Sequence, residues 1–238
     1  MSGIDRVRIM VLGDSGVGKT SFVHMAANNE PIKTPGWTVG CSVEVKLHEY
    51  KEGTPGQVTY FVELWDVGGS SNHHNTRPVF YTPCHGVILV HDLTNRKSEE
   101  NLGKWLYEIA NKDTYKDRDV SLLSMQSFDD ADPENFLGSI QIPILVIGTK
   151  LDQVDDKKCV NRTSKLGNQF DAEEILLDCR QTRYLAAGTT NAVKLSRFYD
   201  RVIEKQYYTR NSVPSYSDRY NSLSPNLPPR FYATSHQD

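Results

Sequence analysis

Apolar residues along this chain fall into two kinds of pattern that take turns. Residues 7–12, 86–90 and 142–147 are short, nearly unbroken apolar runs, as expected of parallel strands buried on both faces. Residues 43–50 and 58–67 alternate instead, with Tyr60, Val62 and Leu64 on one side. The turn at residues 51–56 joins them, which predicts an antiparallel hairpin. Between the strands the period changes to that of a helix. Residues 18–28 place Phe22, Val23 and Ala26 on one side. Residues 98–110 repeat Leu102, Trp105, Leu106, Ile109 and Ala110, and residues 192–207 bring Leu195, Phe198, Tyr199, Val202 and Ile203 inward. On such a stripe Trp105 reads as core, with an interface anchor as the other reading. Residues 175–177 predict a short strand, 155–170 a largely polar helix and 78–81 a brief one. Residues 28–40 are a loop broken by Pro31, Pro35 and Gly36, and residues 70–76 are polar with no element. Strands alternating with helices predict an α/β fold. Its form is a doubly wound, mostly parallel sheet of about six strands with one antiparallel edge hairpin strand.

The remaining stretches set the boundaries. Residues 111–139 carry seven acids and three bases without a period and read as an acidic surface insertion. From residue 209 the composition turns to Ser, Pro, Asn, Arg and Tyr, so the expectation is a domain over 1–208 and a disordered or loosely docked tail over 209–238. Charge is nearly balanced, 27 Lys and Arg against 30 Asp and Glu, which does not favour nucleic acid or bulk anionic membrane as partners. Cys41, Cys84, Cys159 and Cys179 form no CxxC pair and read as reduced thiols. No run reaches the ~20 apolar residues of a membrane span, and residues 1–8 lack a signal peptide's apolar core. A soluble, cytoplasmic protein is expected.

Chemistry enters at residues 13–20. Gly13-Asp14-Ser15-Gly16-Val17-Gly18-Lys19-Thr20 fits G-x-x-x-x-G-K-[ST] between a predicted strand and a predicted helix that continues through Ser21, the setting a phosphate-binding loop requires. Gly13, Gly16 and Gly18 let successive backbone N–H groups point at phosphate oxygens. Lys19 supplies a compact cation, the Thr20 hydroxyl suits Mg²⁺, and the helix N-terminus favours the same anion.

With the motifs that follow in order, the chain resembles a Ras-superfamily small GTPase of the Rab-like branch. The resemblance covers residues 5–207. Thr38 resembles the first switch, Asp66-Val67-Gly68-Gly69 the second, and Thr149-Lys150-Leu151-Asp152 the guanine motif. Trp37-Thr38-Val39-Gly40 and Val90-His91-Asp92-Leu93-Thr94 are similar to Rab proteins. The Trp-Asp-Val-Gly-Gly variant, the acidic insertion and the segment from Asn191 to Phe198 resemble a divergent member. The resemblance implies a P-loop fold, GTP or GDP with Mg²⁺ as cofactors, and effector and regulator proteins docking on the switches. Thr20, Thr38 and Asp66 would hold the metal, and Lys19, Thr38 and Gly69 would meet the γ-phosphate. Asp152 would accept from the guanine N1–H and 2-amino group, and Lys150 would lie along the base and support the phosphate loop. Asp178, Cys179 and Arg180 would replace the Ser-Ala-Lys of the last base-binding loop.

Departures from that family carry sharper expectations. Ser70 stands where a glutamine would orient the attacking water, and a serine is too short to do so. His73 and His74 could substitute, or be ordinary solvated loop residues. Thr149 replaces an asparagine that ties base to phosphate loop, and Pro31 stands near a base-stacking aromatic position; each loss is worth ~1 kcal/mol or more. Slow hydrolysis, weak affinity and fast exchange follow. No cysteine follows Cys179 and no glycine occupies position two, so no direct lipid anchor is expected. Residues 70–76 hold few apolar side chains, an unusual second-switch surface compatible with a homodimer. The rival reading is a non-hydrolysing, GTP-bound scaffold. A P-loop kinase would need a phosphoacceptor site and an arginine-rich lid, and neither is seen.

Overall fold

The computed structural model describes residues 5–110, 142–154, 167 and 172–212. The predicted acidic insertion, the polar helix over 155–170 apart from residue 167, and the tail beyond residue 212 lie outside them. Six strands form one sheet, β1 (Asp5–Leu12), β2 (Cys41–Tyr50), β3 (Val58–Val67), β4 (Gly86–Asp92), β5 (Ile144–Thr149) and β6 (Glu173–Leu176), in the order β2-β3-β1-β4-β5-β6. Only the β2–β3 pair is antiparallel, so the hairpin supplies the edge strand. The helices are α1 (Lys19–Asn28), α2 (Arg96–Glu100), α3 (Leu102–Ala110) and α4 (Thr190–Ser212).

Strand β1 shows why the sheet must be covered twice. Val7, Ile9 and Val11 enter one core with Phe22 of α1 and Phe198, Tyr199 and Val202 of α4. Met10 and Leu12 enter a second core on the opposite face with Leu102, Trp105 and Leu106 of α3. Each fully buried side chain of this kind stabilises the fold by ~1.5–3 kcal/mol relative to exposure.

Three predicted elements differ from what is observed. The helix over 98–110 is two pieces: Asn95 accepts from the Lys97 N–H (3.1 Å) to start α2 early, and Asn101 separates α2 from α3. The polar stretch 70–76 contains a 3₁₀ turn, Ser71–His73, and a second, Arg77–Phe80, follows it. The closing helix is longer than 192–207 at both ends. Residues 1–206 form one compact unit; residues 207–238 are a separate one, described only as helix to Ser212. Among the described residues no helix is long and apolar enough to cross a membrane. The carboxyl ends of β1, β3, β4 and β5 carry the chemistry-bearing loops.

Candidate functional site

The loop leaving β1 turns through Gly13 at φ 149°, where an added Cβ would sit 2.1 Å from the Val90 carbonyl oxygen. No other residue fits this approach to β4. The turn ends at Gly18, a left-handed N-cap at φ 95°, so the first turn of α1 opens into the cleft. Lys19 begins α1 and is buried; its Nζ donates to the carbonyls of Gly13 and Asp14, both at 2.9 Å. Burial lowers its pKa to about 8, against the opposing pull of Asp66 and Asp14. A cation held only by neutral carbonyls is ready to exchange them for an anion.

Thr20, Thr38 and Asp66 come from α1, the loop before β2 and the end of β3. Both hydroxyls donate to Asp66 Oδ2, Thr20 at 2.5 Å and Thr38 at 3.0 Å, and the two lie 3.0 Å apart. Asp66 is fully buried and its Oδ1 has no hydrogen-bond partner. Two hydroxyls and a carboxylate with an unsatisfied buried oxygen are a donor set for a hard, oxygen-loving cation, so these residues fit Mg²⁺.

A cleft of about 510 Å³ lies over this cluster, lined among others by Ser15, Gly16, Gly18, Lys19, Thr20, Ser21, Thr38, Gly69, Ser70, His73 and Lys150. Gly69 packs so closely that a Cβ there would meet Gly13 O, Asp14 C and Ser15 N at 2.6 Å. Ser70 faces the cleft with His73 and Asn72, whereas His74 turns to Glu108 at 3.6 Å. Pro31 is not among the cleft residues; Pro35, Gly36, Trp37 and Val39 are.

The base motif lies beside this cleft. Lys150, in a left-handed conformation at φ 58°, pairs with Asp92 at 2.6 Å rather than with the phosphate loop. Asp92 is held below the usual carboxylate range by bonds from Lys150 and Thr94, which outweigh its burial. Thr149 corrects the sequence expectation. Its buried hydroxyl reaches the Val17 carbonyl at 2.5 Å and the His91 carbonyl at 3.0 Å, so motif and phosphate loop remain tied. A threonine has no second polar atom to extend to a base, and only that contact is missing. Replacing it by valine is expected to cost ~1–2 kcal/mol, read as a lower urea midpoint at unchanged slope, because one donor serves two buried carbonyls.

Downstream, Asp178 is buried and accepts from the Arg180 N–H (2.9 Å), Arg180 Nε (3.3 Å) and Gln181 Nε2 (2.7 Å), which hold its carboxyl low despite burial. Arg180 also pairs with Asp152, so the loop after β6 reaches the base motif. Burial, then Asp178 and Asp152, push the Cys179 thiol up to about 12, so its side chain is no nucleophile.

Some site connections had no signal in sequence. Asp14 lends its carbonyl to Lys19 but turns its carboxylate away from the cleft, to Asn101 Nδ2 (2.8 Å) and Trp105 Nε1 (2.9 Å). Trp105 is therefore core and tether at once. Arg77, 4% exposed, stacks 4.2 Å from the Trp105 ring and lies 3.4 Å from Glu108, which accepts from Tyr81 (2.7 Å). Phosphate loop, α3 and second switch thus share one polar network.

Comparison with known proteins supports the same reading. The model described as Ras of Complex, Roc, domain of DAPkinase matches residues 8–127. Rab-like protein 3 of Bos taurus is 53% identical over 92% of this chain and 94% of its own. Rab-like protein 3 of Danio rerio is 50% identical over 92% and 95%. Small GTPase LIP1 of Arabidopsis thaliana is 37% identical over 62% of this chain and 42% of its own. With this fold, a phosphate loop and relatives matched along nearly their whole length, the chain belongs to the Rab-like small GTPases of the Ras superfamily, P-loop proteins that act as nucleotide-dependent switches.

Proposed function

We propose that this protein binds GTP and GDP with Mg²⁺, hydrolyses GTP slowly, and presents its first-switch surface to partner proteins according to the nucleotide held. One observation supports this reading above the rest. Thr38 joins the Thr20–Asp66 cluster while its neighbours Trp37 and Val39 are 94% and 80% exposed. Whatever fixes the Thr38 hydroxyl also fixes two large apolar side chains at the surface, so occupancy of the cleft is coupled to a docking face. Val79, 74% exposed after the second switch, adds to the apolar surface available to effectors and regulators, a second copy of this chain among them.

The residues would act as follows. Lys19 leaves the Gly13 and Asp14 carbonyls for phosphate oxygens, and the loop N–H groups complete the cradle. Mg²⁺ held by Thr20, Thr38 and Asp66 would offset charge on the β- and γ-phosphates. Gly69 donates its N–H toward the γ-phosphate. Asp152 takes the guanine edge, with Lys150 beside it and the loop of Asp178, Cys179 and Arg180 closing the base side. Missing contacts at Thr149 and Pro31 point to weaker binding and faster exchange than in asparagine- and aromatic-bearing relatives.

Hydrolysis is where the side chains fall short. Ser70 reaches the cleft edge but has only one carbon between backbone and hydroxyl, too little to hold a water in line. That favours, as a second reading, a scaffold that keeps GTP. Single-turnover hydrolysis separates the two: slow but measurable release of phosphate supports the switch, none supports the scaffold. In the same assay Ser70→Gln is expected to raise the rate by ~10-fold or more; an unchanged rate would remove Ser70 as the cause.

A further inference from the structure

In this structure the carboxylate of Asp152 already has an occupant. Its Oδ2 is paired with a guanidinium nitrogen of Arg180, and the same guanidinium reaches back through Nε to Asp178 Oδ1 at 3.3 Å. Asp178 is almost fully buried and is fixed by the Arg180 and Gln181 donors, so it anchors the arginine's base. The far end faces solvent: the Arg180 side chain is 69% exposed, whereas that of Asp152 is 16% exposed. The carboxylate is sheltered, the cation covering it is solvent-facing, and its tether to Asp178 is buried.

The chemistry of the occupant matters more than its charge. A guanidinium presents planar N–H donors in a fork that matches a carboxylate. The guanine edge presents the same pattern, N1–H beside the 2-amino group. A lysine has no such plane. We infer that Arg180 is a specificity-determining residue that competes internally for the Asp152 carboxylate: it holds one of the two oxygens, so a guanine edge, which needs both, must displace it, whereas a base with a single donor need not. This rests on the guanine-nucleotide reading above and adds to it a residue that lowers both affinity and base discrimination.

Hypoxanthine tests the idea, because it keeps N1–H and lacks the 2-amino group. Binding of GDP and IDP with Mg²⁺ would be measured by calorimetry on the full chain, on Arg180→Ala and Arg180→Lys, and on Arg183→Ala. Arg183 lies in the neighbouring turn over the Tyr184 ring and removes an equal charge. An exposed ion pair is weak, so relieving it is expected to tighten GDP by ~3–10-fold in Arg180→Ala. IDP should tighten less, widening the GDP-to-IDP ratio by at least ~5-fold, because hypoxanthine needs only one carboxylate oxygen and Arg180 holds only Oδ2. Arg180→Lys should fall between, and Arg183→Ala should leave the ratio where it was. An unchanged ratio, an equal gain for both nucleotides, or weaker GDP binding in Arg180→Ala would each overturn the inference while leaving guanine binding intact. Failure of every variant to bind GDP would overturn the guanine reading and this inference together.

Discussion

Asp152→Asn is expected to lower GDP affinity by ~10³-fold or more and to transfer preference to xanthosine nucleotides. A guanine edge offers two donors, and an ionised carboxylate offers two acceptors. An amide in its place presents one acceptor and one donor, so the 2-amino group meets an N–H. Sites built around a paired polar edge reject the mismatched analogue by 10⁴–10⁵ for the same reason: a buried group is left without a partner. Xanthine carries a carbonyl at that position and restores the match. Competition of GDP and XDP for the variant, against the unmodified chain, measures the exchange. Retained GDP preference would mean that Asp152 does not read the base. The substitution also releases Arg180, so the fold is expected to survive with Asp178 still held by the Arg180 and Gln181 N–H donors.

Lys19→Met is expected to lower affinity for GDP and GTP by ~10²–10³-fold, the effect of removing one partner of a sheltered charge pair, ~3–5 kcal/mol. Stability of the nucleotide-free chain should move the other way or stay level. In the fold the Lys19 pKa is about 8, below the ordinary 10.5, and burial is the main cause. The folded state therefore disfavours the charge. That penalty is complete below pH 8 and fades as pH rises toward 10.5, where the unfolded lysine also becomes neutral. Methionine removes it, and the two lost donors to the Gly13 and Asp14 carbonyls offset part of the gain. Thermal unfolding at pH 7 and pH 9.5 should show the variant's advantage shrinking with pH. A variant that melts far lower at pH 7 yet keeps its affinity would contradict this account.

Sequence periodicity reached most of this fold because the core is regular. Val7, Ile9 and Val11 against Met10 and Leu12 is a two-sided strand pattern, and two-sided burial is what the sheet shows. The break at Asn101 was illegible because it depends on a contact across the chain: its amide bonds Asp14. The periodic stripe continues through it, and periodicity alone does not register a kink. At the site, local spacing showed the loop from Gly13 to Thr20, whereas Asp66 and Asp152 were legible only through the family resemblance. Thr149 was misjudged as a lost tether because its bond runs to a backbone carbonyl, Val17, and a carbonyl has no residue letter. Lys150, expected to lie along the base and support the phosphate loop, has its ammonium paired with Asp92 across β4 and β5, a partner with no signal in sequence. Arg77 and Glu108, and the stacking role of Trp105, escaped notice for a related reason: a cation stacked on a ring in a shared core has no sequence spacing.

Every role proposed for these residues requires guanine nucleotide in the cleft. The most direct measurement is to purify the chain, denature it, and identify released nucleotide by chromatography, then repeat after dialysis against GTP or ATP with Mg²⁺. Near one GTP or GDP per chain, with no ATP retained, is the predicted result, and the share remaining as GTP would report how slow hydrolysis is. A chain that releases nothing and takes up neither nucleotide would contradict the account.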